Sequence, residues 1–364
     1  MPPKHPARPA LLPLSWIFGG IVRFRNFLYE KRACRVSTFG VPTICIGNIS
    51  VGGTGKTPHT EYLTTLLQGR YKLAVLSRGY KRKTKGFVLA GKDSTVEDIG
   101  DEALQIAGKF PEITVAVHEN RVKGMELLLK ARPEIQLVLL DDAFQHRRLK
   151  AGLYIVLMDY GRPVHEDFLL PAGNLREKPE ALSRADILVY SKCPPDITTE
   201  QKKKMASYLS LKDGQSLFFS GIRYGKLRAG FPDKGAFSTL SSLEELKQRD
   251  CELMCFCGIA SPESFVNHVR RFFPQAPALV FADHHEYKER DVAKIREAFG
   301  HLKAENKGIL TTQKDFMHLK NNPLFENLTP YIYYIEIDIH FVDGQEEVFK
   351  ELIINYVRNN TTNS

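Results

Sequence analysis

A chain of 364 residues, with 43% hydrophobic and 26% charged residues, is long enough for two compact domains and too apolar for wholesale disorder. Its formal charge of +9 comes without a recognition-helix, zinc-finger or aromatic RNA-binding signature, so nucleic acid is not expected as a partner. Six cysteines, none at a paired zinc spacing, fit free thiols in a reducing compartment better than a disulfide framework.

The excess positive charge gathers at one end. Residues 1–40 carry Lys4, Arg8, Arg23, Arg25, Lys31, Arg32 and Arg35 against a single acid, Glu30, a net +6, while the other 324 residues hold +3. The chain's one Trp lies in the same stretch, a combination suited to an anionic membrane surface. Leu14, Ile17, Phe18, Ile21, Phe24 and Leu28 follow helical spacing, with Arg25 expected near the middle of that face. No run of about 18 uninterrupted apolar residues occurs, so a transmembrane helix is not expected. Pro13 and the arginines interrupt the apolar region that a signal peptide needs. An interfacial helix whose arginines reach toward phosphate headgroups is favoured over a helix packed on its own domain.

From Val41 short apolar runs alternate with helical segments, the pattern of a parallel sheet covered by helices. Strands are expected at 43–46, 73–77, 113–117, 137–140, 154–158 and 187–190. Helices, or loops leading into them, are expected at 57–67, 101–108, 120–131 and 179–184. The segment 211–214 reads as a boundary. Beyond it a second α/β pattern has strands at 217–219, 253–257, 278–281, 308–312 and 331–337, with helices near 262–273 and 290–298. The last six residues read as a frayed tail. The expected organisation is a basic apolar membrane-proximal segment over 1–40, a parallel-sheet domain over 41–213 and a smaller α/β domain over 214–364.

Between the first strand and the first covering helix stands Ser50, Val51, Gly52, Gly53, Thr54, Gly55, Lys56, Thr57. Glycines let consecutive backbone N–H groups turn inward around phosphate oxygens, and the helix N-terminus adds positive potential. Lys56 then neutralises β/γ charge, and the Thr57 hydroxyl can hold Mg²⁺. Ser50 occupies the place of the first Gly in the usual phosphate-loop pattern. The chain is thus expected to have a P-loop NTPase-like parallel-sheet domain joined to a second, smaller α/β domain. The strand over 137–140 ends in Asp141 and Asp142, which point in different directions and so take different roles beside Mg²⁺ or its water shell.

Six motifs occur in one order: residues 47–58 around the loop, Leu-Ser-Arg-Gly-Tyr ending at Tyr80, Gly100-Asp101-Glu102, Asp141-Asp142-x-x-Gln145-His146, Leu170-Pro-Ala-Gly-x-Leu-Arg176-Glu177 and Ala282-Asp-His284-His285. In these residues, from about Leu11 to Ile337, the chain resembles the tetraacyldisaccharide 4'-kinases of Gram-negative bacteria. The resemblance implies transfer of the ATP γ-phosphate, with Mg²⁺, to the 4'-hydroxyl of a tetraacylated glucosamine disaccharide 1-phosphate at the cytoplasmic face of the inner membrane. By similarity, Asp101 takes the hydroxyl proton and His284 orients or polarises it. The two fall in different expected domains, which would have to close over the substrate. Read without the resemblance, Gly100-Asp101 is a helix start, and Asp283-His284-His285 a surface turn or a partial metal site. Arg78, Arg121 and Arg176 stand where a guanidinium could grip nucleotide phosphates or the substrate's 1-phosphate, and each fits a surface ion pair as well. Glu177 is assigned to Mg²⁺ alongside Thr57, Asp141 and Asp142. The segment Thr312-Gln-Lys-Asp315 receives no chemical role.

A rival reading is a nucleotide-dependent switch or metallochaperone-like GTPase, for which Ser191-Lys192-Cys-Pro-Pro-Asp196 resembles a guanine-reading loop. It lacks the Asn-Lys-x-Asp spacing.

Overall fold

The computed structural model describes residues 9–234 and 240–361. Lys4, Arg8 and the tail positions Thr362–Ser364 lie outside them. Tertiary contacts divide the chain into two units, Met1–Ile222 with Ile339–Ser364, and Arg223–Asp338.

The first unit holds β1 (Thr43–Asn48), β2 (Leu73–Ser77), β3 (Val88–Leu89), β4 (Thr114–Val117), β5 (Leu137–Asp141), β6 (Leu153–Asp159), β7 (Ile187–Ser191) and the start of β8 (Ser216–Ala229). Their order is β8-β7-β6-β1-β5-β2-β4-β3. Every pairing is parallel except that of β3 with β4. The helices α1 (Leu12–Glu30), α2 (Lys56–Leu67), α3 (Val96–Ile99), α4 (Asp101–Lys109), α5 (Arg121–Ala131) and α6 (Thr199–Ser207) complete its N-terminal part. Alternate strand residues enter two separate cores. Cys45, Val138 and Leu140 pack in one, and Ile44, Ile46, Leu137 and Leu139 in the other. A sheet covered on both faces accounts for unbroken apolar runs in place of alternation. Because β5 and β6 flank β1 on opposite sides, the connections diverge at the carboxyl end of β1, where open α/β sheets form their crevice.

The second unit contains α7 (Leu243–Gln248), β9 (Glu252–Cys257), α8 (Pro262–Phe272), β10 (Ala278–Val280), α9 (Glu289–Gly300), β11 (Lys307–Thr312), α10 (Gln313–Leu319) and most of β12 (Ile332–Phe341). Its strands run parallel in the order β10-β9-β11-β12. Cys255 and Cys257 are buried in an apolar core with Phe265 and Val269, so packing accounts for both thiols.

Three expectations need correction. The division falls inside β8, at Ile222, because that strand starts only after the expected boundary at 211–214 and runs unbroken from Ser216 to Ala229. The C-terminal segment does not belong with the smaller unit. Helix α11 (Glu346–Thr361) belongs to the first, where Phe349, Ile353 and Val357 join the core of Ile44 and Leu139. Their i, i+4, i+8 spacing presents one stripe to the sheet, and each buried side chain contributes about 1.5–3 kcal/mol. Residues 359–361, expected in the tail, continue this helix. Finally, Arg25 does not sit on the exposed apolar face of α1. It turns inward to Glu177, 3.6 Å away, while Leu14, Trp16, Ile17, Ile21, Phe24 and Phe27 face outward.

Candidate active site

The loop between β1 and α2 is braced from three sides. Asn48, buried at the end of β1, donates to the Thr54 hydroxyl at 2.8 Å, and Ser191 at the end of β7 donates to the Thr54 carbonyl at 2.8 Å. The amide of Val51 donates to the Asn174 carbonyl at 2.8 Å. Gly52 and Gly55 take φ of +90° and +82°, conformations that cost a side-chain-bearing residue about 1 kcal/mol or more. Ser50 has no such φ and forms an antiparallel bridge with Leu175, so a glycine is not needed there. His59, one turn into α2, donates from Nδ1 to the Gly55 carbonyl at 2.7 Å and meets the Ser220 hydroxyl at 3.0 Å. Burial pushes its imidazole down to about 4, so it is neutral at ordinary pH.

The two acids at the end of β5, Asp141 as its last residue and Asp142 directly after it, have different surroundings. Asp141 is buried; Thr60 donates to Oδ1 at 3.3 Å, while Oδ2 has no partner among the described residues. Burial, then the charges of Glu102 and Asp142, push its carboxyl up to about 7. Asp142, at φ +46°, receives Arg176 on both oxygens at 3.1 Å and lies 3.8 Å from the Lys56 ammonium. Burial raises its carboxyl, but Lys56 and Arg176 outweigh that and hold it below the usual range.

These groups fit a divalent cation carried in by a nucleotide. The unpartnered Asp141 oxygen is a buried acceptor at the crevice, and the half-buried Thr57 starts α2. Among the described residues no cluster of three or more His, Cys, Asp or Glu side chains forms a self-sufficient cage. Mg²⁺ suits such a sparse set, since it takes one or two protein ligands and fills its shell with phosphate oxygens and water.

Asp101 opens α4 directly after Gly100, whose φ is +83° and where a Cβ would come within 2.8 Å of the Tyr80 carbonyl. Its side chain is buried and accepts the amide of Glu102 at 2.9 Å, in the positive field of the helix N-terminus.

Three sequence expectations change. Glu177 is not disposed to hold a metal: Arg184 donates to its two oxygens at 3.0 Å each, and Asn26 adds a bond at 2.8 Å. Arg121 is buried, and its guanidinium donates to the carbonyls of His118 at 3.1 Å, Asp141 at 3.1 Å and Asp142 at 3.3 Å, so it shapes the end of β5. Arg176 is engaged with Asp142. Only Arg78, at the end of β2, is exposed. In the guanine-loop rival, Ser191 is spent on the phosphate loop and Lys192 on Asp159 at 2.9 Å.

In the second unit, Asp283, His284 and His285 follow β10. His284 takes φ +56° and its amide donates to the Gly258 carbonyl at 3.2 Å. Lys314 donates to His284 Nε2 at 3.1 Å and to Asp283 at 3.0 Å. An ammonium only donates, so Nε2 accepts and the ring proton stays on Nδ1. His285 instead pairs with Asp291 at 3.0 Å and stacks on Phe281. Lys314 was missed, although Thr312 and Asp315 mark a helix start that places it in the first turn: the Thr312 hydroxyl bonds Asp315 at 2.6 Å and accepts its amide at 3.1 Å. Asp159, Arg162 and Asn174 carried no sequence signal at all.

The chain is similar to known proteins over nearly its whole length. Residues 7–358 match the family model described as Tetraacyldisaccharide-1-P 4'-kinase. The tetraacyldisaccharide 4'-kinase of Bacteroides thetaiotaomicron is 47% identical over 358 residues, covering 97% of this chain and 94% of that one. The enzyme of the same name from Flavobacterium psychrophilum is 40% identical, covering 98% of each. Among solved structures, the "apo" form of LpxK from Aquifex aeolicus in complex with ATP superposes with a TM-score of 0.72 at 28% identity, covering 96% of this chain and 99% of that one. A phosphate loop on β1, paired acids on β5 and a match over nearly the whole length lead to one conclusion: the chain belongs to the tetraacyldisaccharide 4'-kinase family.

Proposed function

We propose that the chain transfers the γ-phosphate of ATP to the 4'-hydroxyl of a tetraacyldisaccharide 1-phosphate at the cytoplasmic face of the bacterial inner membrane. The observation that carries this reading is the convergence of Lys56, Asp142 and the unpartnered Asp141 oxygen at the crevice beyond β1. Backbone amides of Gly52–Thr57 and the Lys56 ammonium bind the triphosphate, while the Val51 amide stays on Asn174. Thr57 and Asp141 hold Mg²⁺, which when bound neutralises charge on the phosphate oxygens. Asp142 orients Lys56 and Arg176. A sugar hydroxyl is a poor nucleophile at neutral pH, so a base is required. Asp101 accepts its proton; within the second unit Lys314 fixes Nε2 of His284, the polarising group that the family resemblance implies.

The acceptor is a lipid, which assigns a role to α1. Its outward residues include Trp16 at 73% exposure and Ile21 and Phe24 at 64% each, with Arg23 among them. No described helix is long and apolar enough to cross a membrane. Helix α1 therefore lies in the interface, aromatic side chains among acyl chains and arginines at the headgroups.

The test supplies γ-labelled ATP, Mg²⁺ and the diacylglucosamine disaccharide monophosphate in detergent. Label reaches the lipid with wild type, Lys56→Ala abolishes transfer, and Asp101→Ala lowers turnover more than ATP binding. Equal labelling by all three proteins would refute the assignment.

A further inference from the structure

A second cation approaches the phosphate loop from the flank opposite Lys56. Arg162 follows β6, which borders β1 on the side away from β5. A Cβ placed on Gly52 would lie 3.0 Å from Arg162 Nη1, so the guanidinium rests close against the crown of the loop. Asp159 holds it there. The carboxylate accepts the Gly161 amide on Oδ1 at 2.9 Å, and its Oδ2 is shared by Arg162 Nη2 at 3.2 Å and Lys192 at 2.9 Å. One carboxylate facing two cations leaves a net positive charge beside the loop. Arg162 Nη1, the nitrogen nearest Gly52, makes no hydrogen bond among the described residues.

We propose that Arg162 is a further catalytic residue, donating from Nη1 to an oxygen of the phosphoryl group in transit. The inference rests on the kinase reading above. The N-terminus of α2 takes the inner phosphates and Lys56 reaches the β/γ pair, so a second cation resting on Gly52, four residues upstream, can meet the same outer end from the other flank. In that step the bond between the γ-phosphorus and the β–γ bridging oxygen breaks as the acceptor oxygen bonds to phosphorus. The hydroxyl proton passes to Asp101, and ADP keeps the bond's electron pair. Negative charge moves among oxygens throughout, and a guanidinium fixed on one side of them stabilises the transition state more than bound ATP. Asp159 keeps the fork aimed in the absence of nucleotide, and its charge, divided between two cations, does not prevent Arg162 from bonding a more highly charged phosphate.

Arg162→Ala and Arg162→Lys in the full-length chain test this. Turnover with the lipid acceptor is measured together with ATP and ADP affinity, the latter by competition against a fluorescent nucleotide without acceptor. Arg162→Ala is expected to lower kcat by a factor of about 10² to 10³ and to cut the ratio of ATP to ADP affinity at least about tenfold, with ADP binding preserved. Arg162→Lys should recover part of both losses. Equal losses of ATP and ADP affinity, or a kcat within about threefold of wild type, would overturn the proposal and leave Arg162 as a brace for Asp159. If the wild type labels no disaccharide, the kinase reading fails, while the ATP-to-ADP ratio still decides the contact with the terminal phosphate.

Discussion

One nitrogen of Arg121 donates to the main-chain carbonyls of both Asp141 and Asp142, at 3.1 and 3.3 Å. A buried cation thus sets the backbone of two acids whose side chains it does not bond. Burial lowers its own proton affinity, against the favourable charges of Asp142 and Asp141. Arg121→Leu would leave these carbonyls without a donor, at about 1–3 kcal/mol for each buried group. We expect a loss near 3 kcal/mol in urea denaturation and a fall in kcat. Arg121→Lys should not restore either, because one ammonium cannot span the carbonyls of His118 and both aspartates. Full rescue by lysine would show that charge alone suffices.

Glu177 is expected to act through Arg184 and Asn26, not through magnesium. Burial raises its carboxyl, but the bonds from Arg184 and Asn26 and the Arg184 charge prevail and hold it low. Glu177→Gln should destabilise the fold by about 3 kcal/mol, as removing one member of a buried ion pair does. The Mg²⁺ concentration for half-maximal activity should stay the same, whereas Asp141→Asn should raise it. A clear rise with Glu177→Gln would restore the metal role.

His59 makes stability depend on pH. Its folded-state value near 4 lies below the ordinary 6.5, so the unfolded chain takes up the proton first. Its contribution is complete above about pH 6.5 and declines as pH falls toward 4, a loss of about 2 kcal/mol by pH 5. His146, also lowered to about 4, acts in the same direction. The stability difference between wild type and His59→Gln, read from urea midpoints at pH 7.5 and 5.0, should therefore shrink by about 2 kcal/mol at the lower pH. A pH-independent difference would mean that His59 is not buried as a neutral ring.

The outward face of α1 can be tested without disturbing the fold. Trp16 and Phe24 are 73% and 64% exposed, so changing both to Ser should alter stability by no more than about 0.5 kcal/mol. If both rings enter a bilayer interface, partitioning onto anionic liposomes should fall about 100-fold. Unchanged partitioning would remove α1 from the membrane.

The sequence by itself determined what local signals encode. Residues 50–57 specify a phosphate loop because glycine φ, a lysine and a helix start must be consecutive, and the runs at 43–46 and 137–140 specify buried parallel strands because both faces are apolar. It also gave Asp141 and Asp142 different directions, since neighbouring side chains on a strand point apart. Only the tertiary structure decided who meets whom. Glu177 finds Asn26 across 151 residues, and Arg162 reaches Gly52 from another strand's end, contacts that no spacing announces. Helix α11 joins the first unit because a sheet face must be covered, and any apolar stripe can cover it wherever it lies in the chain. Local chemistry is written in consecutive residues, while the partners of a long charged side chain depend on which ends the fold brings together.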